Sequence, residues 1–243
     1  MRKQFEVDSE TSVKQKLNRL TKKRKILPIY KGYYIIISPQ YYNRGILPPV
    51  LFIDSLMQYL NRPYYVGLLN AAAFYGAAHQ QPQEFFVFTS LPAMRPTNKK
   101  GLKINYISKT TIAVDLLDKK KKETGYLSIS SPELTAADFI QFEKKIGGLN
   151  RVGTVLNDLL ETIQPAQIKE SFFKETPVFI LQRLGYLCEN VIKNKELADH
   201  IYNKCQLEGL SFFRTPLRKS SKTTGYPTDE RWKVIINTTI EID

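Results

Sequence analysis

Cysteine and histidine are scarce in this chain, with two of each among 243 residues. Cys188 and Cys205 sit in helix-like sequence, far from any second Cys/His pair, so neither a disulfide framework nor a zinc site is expected to hold the fold. They read as ordinary part-buried thiols. His79 and His200 form no HxxxH or HExxH spacing, and no GxGxxG, P-loop or GxSxG string occurs. The sequence therefore calls for no cofactor and no metal. Long apolar runs are missing too. The longest, residues 33–37 and 71–75, are far too short to span a bilayer, and the opening MRKQFEVDSE has no apolar signal core. The expectation is a soluble, cytoplasmic protein with no membrane partner.

Negative charge is the other thing in short supply. Asp and Glu number 23 against 36 Lys and Arg, a net charge of +13. The excess is concentrated: residues 1–34 carry a net +7 and residues 95–125 a net +6, while residues 35–94 and everything after 125 are neutral. A polyanion would meet the N-terminal segment or the central loop. Otherwise the composition, 42% apolar and 24% charged, is that of a globular protein able to bury a core.

Along the chain, the polar run 8–12 can cap a helix, and Val13, Leu17 and Leu20 then recur at helical spacing to about Lys23. The opposite face is Lys14, Gln15, Asn18, Arg19 and Lys22. Ile26, Leu27 and Ile29, then Lys31-Gly32, then the β-branched and aromatic run 33–37 read as strand, turn, strand, with Gly32 supplying the positive φ of a tight turn. Further helices are expected over 50–60 and 68–78, and strands over 64–66, 84–89, 102–107, 111–117 and 125–129. Residues 91–100 read as a loop, and Lys119 to Lys122 as a lysine-rich loop or hairpin tip. From Ser131-Pro132, a capped helix start, the pattern turns helical over 134–145, 150–163, 167–174, 178–191 and 195–207. A closing strand covers 232–237 after a polar loop over 214–229.

The helix and hairpin of residues 9–37 carry the strongest functional signal. A recognition helix presents polar and basic side chains to the major groove, where Arg, Gln and Asn make bidentate contacts to base edges, and a wing touches the neighbouring backbone with a basic or aromatic tip. Lys14, Gln15, Asn18, Arg19, Lys22 and Lys23 suit the first role; Tyr30, Lys31 and Tyr33 suit the second. A solvated helix face followed by a hairpin is the plain alternative. Lys119 to Lys122 offer either a solvated tip, an added phosphate contact or a surface for an acidic partner. Trp232, Phe212 and Phe213 read as core rather than as a base-stacking platform. A metal-dependent nuclease would need converging carboxylates, for which Glu84, Asp115 and Asp118 have no recognisable spacing.

The order of motifs resembles the AbiEi family of transcriptional-regulator antitoxins from abortive-infection type IV toxin–antitoxin systems. The similarity rests on Val13-x3-Leu17-x2-Leu20, Ile26, Ile29, Lys31-Gly32-Tyr33-Tyr34, the run from Tyr64-Tyr65-Val66-Gly67-Leu68-Leu69-Asn70-Ala71-Ala72 through Tyr75-Gly76, the segment Ser131-Pro132-Glu133-Leu134-Thr135-Ala136-Ala137-Asp138, Gln182-Arg183-Leu184-Gly185-Tyr186-Leu187, and Arg231-Trp232-Lys233-Val234 to Asn237. It implies a bacterial protein that binds the operator DNA of its own operon through an N-terminal winged helix and represses it. It also implies a C-terminal domain that antagonises a nucleotidyltransferase-like toxin without a stable complex being required. The residues carried over are those of the helix face and the wing. A complete helix-turn-helix places two helices before the recognition helix, whereas about ten residues precede the one here, which makes this unit a shortened or degenerate winged helix.

The expected fold is α+β, with a winged helix-turn-helix remnant over 1–40 and an AbiEi-like antitoxin domain over 41–243, mixed α/β with a mostly helical second half. Residues after about 40 hold nearly all the apolar elements and are expected to bury a core by themselves. The expected function is antitoxin and DNA-binding repressor, not an enzyme. The competing readings are a metal-dependent nucleic-acid-processing enzyme and an interaction protein that has lost DNA binding.

Overall fold

A computed structural model describes residues 9–78 and 82–242. The first helix, α1 (Glu10–Lys22), starts where Ser9 accepts the backbone N–H of Ser12 at 3.2 Å. Ser9 satisfies one of the orphan donors of the first turn and Glu10 sits favourably against the helix dipole. Val13, Leu17 and Leu20 are half-buried and form the inner stripe, while Lys14, Gln15, Asn18, Arg19 and Lys22 are exposed. Two antiparallel strands follow, β1 (Ile26–Tyr30) and β2 (Tyr33–Ile36), with Ile26 opposite Ile36 and Leu27 opposite Ile35. The turn between them needs Gly32 for its backbone, and a side chain there would also displace the exposed Tyr59. The Gly32 φ is +78°, and a Cβ there would lie 2.7 Å from the Tyr59 hydroxyl.

Beyond α2 (Ile53–Tyr59) comes a six-stranded mixed sheet. Its strands are β3 (Tyr64–Val66), β4 (Phe85–Ser90), β5 (Thr97–Lys99), β6 (Leu102–Lys109), β7 (Leu117–Lys122) and β8 (Gly125–Ser130), in spatial order β5-β6-β4-β3-β8-β7. The pairs β4–β6 and β3–β8 are parallel and the others antiparallel. Both faces are covered, so the central strands read as unbroken apolar runs, and the period-2 pleat divides them. Tyr65, Phe86 and Phe88 point into a core shared with the helical half of the chain. Tyr64, Val66, Phe85 and Val87 point into a second core on the other face.

That second core is closed by α2 and by the hairpin. Leu27, Ile29, Ile35 and Ile37 belong to the same buried cluster as Phe52, Leu56, Val66 and Ile104. Residues after about 40 were expected to bury a core by themselves; in the structure the first hairpin also covers one face of the sheet. Full burial of a side chain of this size contributes roughly 1.5–3 kcal/mol, so four of them are comparable with the net stability of a domain.

The helical layer is α4 (Pro132–Gln141), α5 (Leu149–Leu160), α6 (Glu170–Glu175), α7 (Val178–Tyr186) and α8 (Lys195–Leu207), following the short α3 (Leu69–Ala72). Ser131 caps α4 and Asn194 caps α8. Two short parallel strands, β9 (Thr215–Pro216) and β10 (Val234–Ile235), bring the C-terminal segment back onto α7. Trp232 is fully buried there and stacks on Phe212 at 5.8 Å, whereas Phe213 is 53% exposed and not the core residue expected. Both cysteines are buried, and burial pushes each thiol up to about 12.

Several boundaries differ from the sequence expectation. The helix over 68–78 shrinks to α3 and a 3-10 turn at Ala73–Tyr75, ended by Gly76 in the left-handed region. The loop over 91–100 contains β5, and the strand expected over 111–117 is coil and a 3-10 turn. The lysine run is neither loop nor tip but the strand β7. Lys120 and Lys122 lie over the rings of Tyr75 and Phe74 at 4.8 and 4.2 Å, and pairing with β8 overrides the weak strand propensity of lysine. The helix over 178–191 passes into a π-helical turn at Leu187–Val191. No helix of the described residues is long and apolar enough to cross a membrane. His79 lies outside the described residues.

Candidate nucleic-acid interface

The outward face of α1 and the hairpin tip are both basic and exposed. Lys14, Gln15, Asn18, Arg19, Lys22 and Lys23 are all exposed, and so are Tyr30, at 43%, and Lys31 at the turn. Tyr33 behaves differently. Its ring packs against Tyr59 at 5.3 Å, and burial raises its hydroxyl above the ordinary tyrosine range. It anchors the hairpin to α2 while Tyr30 and Lys31 stay exposed at the turn.

The fold adds residues that linear sequence does not place at this site. Strand β5 and the loop before it run beside the hairpin turn, and Tyr30, Lys31, Gly32, Arg95, Pro96 and Lys99 line one open cleft of about 630 Å³. Lys99 Nζ donates to the Pro28 carbonyl, tying β5 to β1. Arg95 and Lys100 stay exposed next to it. Part of the second basic segment is thereby delivered to the first, and only the count of charge in residues 95–125 hinted at it. Lys103, one turn on, is drawn instead to Glu84 at 3.7 Å.

The rest of that segment goes elsewhere. β5 and β7 are opposite edges of the sheet, five strand spacings apart, or about 24 Å at ~4.8 Å per spacing. Lys119 and Lys121, the exposed pair on β7, are therefore remote from the hairpin turn. A lysine-bearing edge strand also resists pairing with a stray strand, which is reason enough for lysine there.

The carboxylates weighed for metal chemistry do not converge. Glu84 accepts from Asn105 at 2.6 Å, Asp118 accepts from the Tyr75 hydroxyl at 2.7 Å, and Asp115 accepts from Ser171. Among the described residues no three His, Cys, Asp or Glu side chains are grouped so as to hold a metal ion. The segment 131–138 divides its work: Ser131 caps α4, Thr135 bonds back to Ser130 and Ser131, and Asp138 reaches through to the sheet, where it accepts from Tyr65 and Lys109.

The fold is similar to that of the RV2827C protein from Mycobacterium tuberculosis in its crystal structure. The likeness has a TM-score of 0.65 at 16% identity and covers 91% of this chain and 78% of that one. It shows a shared fold. An antigenic nucleotidyltransferase-like protein from Paracoccidioides brasiliensis is matched at a TM-score of only 0.39 and 10% identity, over 63% of this chain and 89% of that one, too remote to carry an argument. No curated protein sequence matches the chain. Residues 65–190, just over half of the chain, match the model of the AbiEi antitoxin C-terminal domain, and the chain belongs to that family.

Proposed function

We propose that this protein is the antitoxin of a type IV abortive-infection operon, and that it represses the operon by binding its operator DNA. The basic face of α1 enters the major groove, and the wing tip with the adjoining β5 loop holds the phosphate backbone. The observation that carries the reading is the cleft in which Lys31 and Arg95 meet from two segments 64 residues apart, beside an α1 face whose Lys and Arg side chains are exposed. Phosphate neutralisation dominates nucleic-acid affinity, and contacts to backbone fix register while base edges specify. Within this reading residues 1–40 make the DNA contacts together with the β5 loop at Arg95, and the rest of residues 41–243 antagonises a nucleotidyltransferase-like toxin. The hairpin is both wing and part of the core, so the two jobs share a scaffold.

The test is a mobility-shift titration on DNA from upstream of the operon. Arg19→Ala with Lys22→Ala weakens binding and flattens its salt dependence by about 1.8 in log–log slope if both make phosphate contacts. An unchanged slope would mean that the face is only solvated. Antagonism is read separately, by whether the protein relieves growth arrest when the adjacent toxin gene is expressed.

A further inference from the structure

At the C-terminal end of β6, beside α4, lies an open cavity of about 320 Å³, large enough for a small ligand. Behind two of its lining residues, Tyr65 and Lys109, stands a buried carboxylate. Asp138 of α4, 1% exposed, accepts from the Tyr65 hydroxyl of β3 on one oxygen at 2.8 Å and from Lys109 Nζ of β6 on the other at 2.7 Å. The carboxylate is thus satisfied on both sides. The ammonium is not. Among the described residues it makes this single hydrogen bond, with the rings of Phe88 and Tyr65 beneath it at 5.2 and 5.5 Å, and it remains 20% exposed towards the cavity it lines.

The cavity is furnished. The hydroxyls of Thr110 and Thr111 stand on the coil directly after Lys109, and Ile112, Leu134 and Phe142 supply an apolar wall. Glu175, exposed at the rim, repels a dianion about twice as strongly as a monoanion.

We propose that this cavity binds a small organic monocarboxylate with an apolar body. Its carboxylate sits on the Lys109 ammonium and the threonine hydroxyls, and its hydrocarbon part lies against Leu134 and Phe142. This site is separate from the DNA-contacting surface and does not depend on it.

The test is calorimetric titration of the full chain with isovalerate, phenylacetate, acetate and inorganic phosphate. Isovalerate or phenylacetate binds saturably in the millimolar range or tighter, with acetate and phosphate weaker. Binding falls by about tenfold or more in Lys109→Met and in Ala113→Phe, about 1.4 kcal/mol of affinity. Ala113→Phe fills the cavity from its wall and leaves the Lys109–Asp138 pair intact, so it separates loss of the site from loss of the fold, with thermal melts alongside. Absence of saturable binding for every probe, binding indifferent to Ala113→Phe, or tighter binding of phosphate than of the carboxylates would each overturn the proposal.

Discussion

Gly185 of α7 lies flat against the indole of Trp232: a Cβ at that position would sit 2.0 Å from the ring carbon Cη2 and 2.1 Å from Cζ3. The contact seats the C-terminal segment on the helical layer. Trp232 is held from its other side as well, by its Nε1–H donating to Glu189 at 2.6 Å and by Arg231, which bridges Glu189 and Asp199. Alanine is the better helix former by about 1 kcal/mol, yet the collision is with a rigid, fully buried ring, and overpacking of this kind costs about 1–3 kcal/mol or more. Gly185→Ala is expected to lower the thermal midpoint by several degrees in calorimetry; a raised midpoint would show that the indole can shift at no cost.

Burial holds the Asp138 carboxyl above its ordinary range, against the opposing pull of Lys109 and Tyr65. The native state then keeps a proton that the unfolded chain has already released. By linkage its contribution to stability is present at low pH and is lost as pH rises from the unfolded value of 3.8 through the higher folded one. In urea unfolding across that window, Asp138→Asn should remove this downward slope. A slope identical to that of the parent would place the titration elsewhere.

The lysines of β7 are expected to divide by parity. Lys120→Ala and Lys122→Ala each lose a cation–π contact, worth about 0.5–1 kcal/mol at a partly exposed site, while Lys119→Ala and Lys121→Ala stay within about 0.5 kcal/mol of the parent. Denaturant midpoints decide it, and equal effects at all four positions would contradict the pattern.

A chain beginning at Gln40 lacks Leu27, Ile29, Ile35 and Ile37 and uncovers one face of the sheet. The loss, roughly 6–12 kcal/mol of gross burial, approaches the whole net stability of a domain. Such a chain is expected to lose cooperative unfolding in circular dichroism. A sharp transition at the parental midpoint would show that the sheet face needs no roof.

Much of this was legible in the sequence, and the reasons are local. Helix α8 matches the expected span because Asn194 caps it and its apolar stripe has one period. The first hairpin was visible because Lys31-Gly32 interrupts a β-branched run. What the sequence concealed depends on distant partners. β5 reads as loop because Pro92, Pro96 and two lysines surround it, and it becomes strand by pairing with β6. β7 was hidden by four consecutive lysines whose stabilising rings, Phe74 and Tyr75, lie some 45 residues upstream. Of the candidate surface, the exposed α1 face and the hairpin turn were marked by periodicity and charge, but the meeting of Lys31 with Arg95 and Lys99 is a product of tertiary packing.

The most direct test of the account compares two lysine-bearing edges of one sheet by the salt dependence of operator binding. Lys31→Ala with Arg95→Ala removes the pair that shares the wing cleft; Lys119→Ala with Lys121→Ala removes an equally exposed pair at the far edge. The first double variant is expected to lower the log–log salt slope by about 1.8 and the second to leave it unchanged. Loss of slope at β7 with none at the wing would contradict the account.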